Sequence, residues 1–90
     1  MPKFVIEREM PGVGGMTAEE RQGGARKSNA VIDELGAQIQ WVHSYITKDK
    51  IYCVYLAPDR DIIQRHADMS GFPADRIEEV TALIDPTTAQ

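Results

Sequence analysis

Two histidines, His43 and His66, one cysteine, Cys53, and the carboxylate Glu7 are the side chains of this chain best suited to ligating a borderline metal ion or moving a proton. Imidazole nitrogen suits Ni²⁺ and similar ions, with thiolate, carboxylate or water completing the shell. An unperturbed imidazole also titrates near neutrality, which suits acid-base work. The sequence has no cysteine pair two residues apart and no histidines four apart, so any shared site must be assembled by the fold.

Each group has a structural alternative. His43 lies in Ile39-Gln40-Trp41-Val42-His43-Ser44-Tyr45-Ile46, among aromatics, where it is either a ligand or proton-transfer group, or a buried imidazole hydrogen-bonded to Tyr45 or Tyr52. His66 borders an apolar helical stripe and either packs its ring on neighbours or forms a surface metal site. Cys53 on a central strand reads as a small buried hydrophobe, since a reactive thiol needs exposure and a positive neighbourhood. Glu7 either faces an open cleft as ligand or general base, or projects from a strand end into water.

Ninety residues make one small domain, expected over residues 1–85 with a polar tail at 86–90. Ten basic and fourteen acidic side chains give a net charge of −4, and no Lys/Arg cluster is long enough to track a phosphate backbone. Nucleic acid is therefore not an expected partner. The opening Met1-Pro2-Lys3-Phe4-Val5-Ile6-Glu7 returns to charge too soon for a signal-peptide core or a membrane span. A cytoplasmic location is the expectation, in keeping with a single cysteine that has no intrachain disulfide partner.

The elements that must position these groups follow from periodicity and punctuation. Lys3 to Glu9 reads as a strand, buried at its start and partly open at its end, and Pro11-Gly12 stops it. Gly12-Val13-Gly14-Gly15 has the composition of a flexible loop. Thr17 and Glu20 have capping-box spacing, so a helix begins at about Ala18 and Gly36 caps its end. Ala18, Ala25, Ser28, Ile32 and Leu35 recur on one face, while Gly23-Gly24 marks a kink, a close approach or a tolerated weak point.

Gln38 to Thr47 and Ile51 to Leu56 form a hairpin. Regular pairing places Trp41, His43, Tyr45, Tyr52, Val54 and Leu56 on one face, and Gln40, Val42, Ser44, Ile46, Ile51, Cys53 and Tyr55 on the other. A one-residue bulge would exchange these memberships. Asp59 caps a second helix from about Arg60 to Met69, and Ile77 to Ile84 reads as a last strand.

The order strand, helix, strand, strand, helix, strand, with right-handed crossovers, gives an α+β ferredoxin-like βαββαβ fold: a four-stranded antiparallel sheet with both helices on one face. The other face must meet solvent, a ligand or a second subunit, and a homodimer through the open sheet faces is the simplest arrangement for so many apolar strand residues. The cleft between the paired sheets is then the natural place for a site.

The segments Trp41-Val42-His43-Ser44-Tyr45, Asp49-Lys50-Ile51-Tyr52-Cys53-Val54-Tyr55-Leu56-Ala57-Pro58, His66-Ala67 and Gly71-Phe72-Pro73-Ala74-Asp75-Arg76-Ile77 resemble a small bacterial family of unknown function described as nickel-binding ferredoxin-like proteins. Phe4-Val5-Ile6-Glu7-Arg8 with Pro11-Gly12 is also similar, so the resemblance runs from about Pro2 to Val80. It implies a ferredoxin-like homodimer that binds nickel on its surface or in its cleft.

The leading functional expectation is therefore a cytoplasmic homodimer that binds a divalent transition metal, nickel first, for sequestration or buffering and without catalysis. The candidate ligands are His43, His66, Glu7 and Cys53, not necessarily at one site. Competing expectations are a small monooxygenase- or isomerase-like enzyme using His43 for proton transfer, assisted by Glu7 or Tyr55, and a dimeric interaction module with no site.

Overall fold

Alternation of apolar and charged residues makes β1 (Lys3–Glu9) a strand with two different faces, burying Phe4, Ile6 and Arg8 and leaving Lys3, Val5 and Glu7 half-buried on the other side. A computed structural model of the chain, which describes every residue except Ala37, continues with α1 (Ala18–Glu34), β2 (Gln40–Ile46), β3 (Lys50–Leu56), α2 (Arg60–Ser70) and β4 (Arg76–Glu79). The strands form one antiparallel sheet in the order β2-β3-β1-β4.

Both helices pack on the face that carries Phe4 and Ile6. Val31 of α1, Leu35 at its C-cap, and Ile62 and Ile63 of α2 join Phe4, Ile6, Cys53, Tyr55 and Ile77 in one core. The capping box at the start of α1 is formed as its spacing predicts, Thr17 Oγ1 accepting from Glu20 N–H and Glu20 Oε1 accepting from Thr17 N–H. Asp59 caps α2 through Ile62 N–H, and Gly71 ends it with φ +78°, a left-handed conformation that favours glycine.

Two local expectations are corrected. Regular pairing fails between Trp41 and His43: Trp41 opposes Tyr55 while His43 opposes Val54, so Val42 is the extra residue of a bulge. The bulge moves Trp41 to the helix-covered face, where its indole N–H donates to Ser44 Oγ at 2.9 Å, and leaves His43 on the open face. The last strand ends at Glu79 and not at Ile84. Val80 N–H donates to the carbonyl of Lys3, the first residue of β1, so no partner strand remains beyond it, and Leu83 and Ile84 are exposed. The tail then closes in a short 3-10 turn, Pro86–Ala89.

The glycine-rich connection after β1 is an ordered turn that is fastened to the β2–β3 hairpin. Gly14 N–H donates to the Lys48 carbonyl at 2.9 Å and Gly12 N–H to Asp49 Oδ1 at 3.0 Å. A Cβ at Gly14 would stand 2.8 Å from the Thr47 carbonyl oxygen and 2.9 Å from Lys48 Cα, both backbone atoms that cannot rotate away. Gly14→Ala is therefore expected to destabilise the protein by about 1–3 kcal/mol. Gly15→Ala, whose Cβ meets nothing within 4 Å, serves as the control in thermal unfolding. Equal melting temperatures for the two variants would refute the close-approach account.

Candidate functional site

The sheet separates the four candidate ligands into two groups. His43 and Glu7 lie on the open face, and His66 and Cys53 lie in the core between sheet and helices. Among the described residues, no three His, Cys, Asp or Glu side chains converge to hold a metal ion.

On the open face, His43 is exposed and packs edge-on against Tyr45, with ring centroids 4.9 Å apart. Tyr45 opposes Tyr52, Tyr52 opposes Glu7, and His43 opposes Val54. Glu7 and His43 are thus on strands separated by β3 and offset by two positions. At about 4.8 Å per strand spacing, their Cα atoms are more than about 10 Å apart. Glu7 instead pairs with Lys50, whose Nζ lies 3.3 Å from Glu7 Oε1 and 3.3 Å from Glu9 Oε1. The hydrogen bond that Lys50 donates to Glu9, then the one it donates to Glu7, holds its ammonium above the ordinary pKa. Glu7 is therefore in mid-strand and ion-paired, not at a strand end in free water.

His66 is wholly buried, so the surface-site version of the sequence expectation does not hold for it. The helical stripe that carries it turns inward onto Tyr55, with ring centroids 5.3 Å apart. Its Nε2 lies 3.1 Å from Ser28 Oγ and 3.4 Å from the Ser28 carbonyl oxygen, and Nδ1 has no partner among the described residues. A proton on Nε2 donates to Ser28 and leaves Nδ1 as the bare lone pair. Burial, opposed by the Ser28 backbone contact and reinforced by the nearby Arg8 charge, lowers the pKa of His66.

The pH consequence has a definite sign. Below the unfolded value of about 6.5, the unfolded chain takes up a proton that the folded imidazole refuses. Stability from this group is complete above that pH and is lost as the pH falls toward the depressed folded value, by at most about 1.4 kcal/mol per pH unit. His66→Gln is expected to flatten this component when urea midpoints are compared at pH 7.5 and 5.5. Parallel losses in the two proteins would assign the acid sensitivity elsewhere.

Cys53 is buried, and its Sγ accepts from Arg8 Nε at 3.4 Å. Arg8, although only 2 % exposed, was not singled out by residue chemistry. Its guanidinium also donates through Nη1 to the Pro73 carbonyl at 2.6 Å, and Nη2 has no partner among the described residues. The signal was present in the period-two pattern, since Phe4, Ile6 and Arg8 share one strand face. Arg8, Cys53 and Tyr55 line a cavity of about 290 Å³ between α1 and the sheet. Burial, and next the neighbouring Cys53, raises the Tyr55 phenol pKa, so Tyr55 is a neutral hydroxyl at physiological pH. His43 does not line this cavity.

A four-stranded antiparallel sheet in the order β2-β3-β1-β4, with both crossover helices on one face and a histidine among tyrosines on the other, defines a small α+β protein of ferredoxin-like topology. Residues 4–80 match the family described as nickel responsive protein SCO4226-like, and the chain belongs to that family. The crystal structure of SCO4226 from Streptomyces coelicolor A3(2) shares this fold, with a TM-score of 0.76 and 21% identity over 91% of this chain and 99% of that one. No curated protein matches the chain. Among the described residues, no helix is long and apolar enough to cross a membrane.

Proposed function

We propose that this protein binds nickel, or a closely related divalent ion, as a homodimer formed through its open sheet faces, and that it sequesters or buffers the metal without catalysing a reaction. The observation that carries the reading is His43: an exposed imidazole on the uncovered face of a chain whose family is described as nickel responsive. One chain alone does not supply a converging set of three ligands among its described residues. Apposing two open faces supplies a second His43 and a second Glu7, and imidazole with carboxylate and water is a donor set that suits Ni²⁺. Half-buried Val5, Tyr52, Val54 and Leu56 on the same face give the paired sheets apolar contact area.

The alternative proton-transfer role for His43 lacks a comparable support, because His43 lines neither the cavity beneath α1 nor the shallower hollow that Val5, Glu7 and Tyr52 form on the open face. Calorimetric titration of tag-free protein with Ni²⁺ tests the proposal. A defined stoichiometry is expected, with His43→Ala weakening binding at least about tenfold and His66→Gln leaving it within twofold, since one imidazole ligand supplies more than one factor of ten. Binding that survives His43→Ala unchanged would reject His43 as a ligand, and no binding by the native protein would reject the function.

A further inference from the structure

We infer that the cavity beneath α1 is a binding site for a small monocarboxylate with an apolar body, held by Arg8. This site is independent of the metal reading, because it lies on the helix-covered side of the sheet while His43 lies on the other.

The argument begins with charge. Arg8 is a permanent cation, and burying it in a low-dielectric interior is costly unless a counter-charge and hydrogen-bond acceptors are supplied. The ion pairs of the described residues are Lys50 with Glu7 and Glu9, and Arg76 with Glu78; Arg8 is in none of them. Its Nε and Nη1 are spent on the Cys53 sulfur and the Pro73 carbonyl. Nη2, with two N–H donors, is buried and has no acceptor among the described residues. Such a group is rare in a folded interior and calls for an acceptor. A carboxylate in the adjoining cavity supplies both the acceptor and the missing negative charge.

The rest of the cavity defines the body of the ligand. Trp41, Phe72, Ile46 and Ile51 are among its walls, so the surface presented to a ligand is dominated by apolar groups. At roughly 30 Å³ per water-sized group, about 290 Å³ holds about ten non-hydrogen atoms, which matches a medium-chain or single-ring carboxylate. Of the two arginines on the cavity wall, Arg21 is exposed to water and donates to the Met16 carbonyl at 2.8 Å, whereas Arg8 is desolvated; one buried guanidinium calls for one negative charge, so a monoanion fits better than a phosphate dianion. The Tyr55 hydroxyl, kept protonated by burial, is a second wall group able to donate.

The helix that roofs the cavity is also accounted for. Gly24, half-buried in α1, lines the cavity, and a Cβ built on it meets nothing within 4 Å. The glycine costs α1 stability relative to alanine, and it leaves the space open.

Octanoate is the probe, with octanol as its uncharged counterpart. Trp41, the sole tryptophan, lines the cavity and reports occupancy by its fluorescence, with calorimetry as the second readout. The expected result is a saturable one-site response to octanoate, at least about tenfold tighter than to octanol, since one charge-assisted hydrogen bond to a buried cation exceeds a factor of ten. Arg8→Met should remove that preference. Gly24→Leu, which improves helix propensity while filling the cavity, should abolish binding in a protein that still unfolds cooperatively. Failure of octanoate to saturate either readout overturns the site, as does equal affinity for octanol. Unchanged binding by Gly24→Leu overturns its location.

Discussion

Ile6→Ala is expected to lower the unfolding free energy by about 4 kcal/mol, enough to remove a large share of the 5–15 kcal/mol typical of a small domain. Ile6 has no exposed surface and sits in the middle of β1, with Cys53 opposite it on β3 and Ile77 on β4. Its side chain belongs to the core formed with Val31 of α1, Leu35 at that helix's C-cap, and Ile62 and Ile63 of α2. Truncation removes the transfer free energy of three carbons and leaves a void that two helices and three strands would have to collapse together to fill. Val5→Ala, one residue earlier on the half-buried open face, is expected to cost less than half as much. Urea denaturation of both variants measures this difference, and similar losses would contradict the assignment of the two faces.

The second large effect concerns association and rests on the proposed dimer. Val54 is half-buried at the centre of the open face, on β3, between His43 of β2 and Val5 of β1. In a two-fold interface a single substitution places a charge on both subunits at once, and each carboxylate must be desolvated or must force the sheets apart. Val54→Asp is expected to weaken dimerisation at least about a hundredfold. Multi-angle light scattering should give the native protein twice the 10.0 kDa chain mass and the variant a single chain mass. A monomeric native protein would overturn the dimer, and a dimeric variant would move the interface off this face. Because the side chain projects away from the helices, the variant's far-ultraviolet circular dichroism is expected to match that of the native protein.

The course of the elements was readable because each is specified by local chemistry. Thr17 with Glu20, Asp59 with Ile62, and Gly71 with its left-handed backbone each act within a few residues of where they stand. The alternation in β1 and the short polar turn between β2 and β3 likewise carry their information locally. Where a boundary depended on a partner, local chemistry was insufficient. Val80 through Ile84 has the composition of a strand, but β1 begins at Lys3 and leaves no edge for it to pair with.

The candidate site divides in the same way. The sequence determined which side chains are able to bind metal or move protons, a net charge of −4, and the order of elements from which a ferredoxin-like sheet follows. Only the tertiary structure decided that His43 faces outward while Trp41 turns inward, because one extra residue at Val42 reverses the strand's alternation and a bulge is set by pairing across strands. It likewise decided that His66 and Cys53 are core groups, and that the most unusual interior charge is Arg8. Periodicity assigns a residue to a face, but which face is covered, and whether a buried cation finds a counter-ion, depends on elements distant in the chain that pack there.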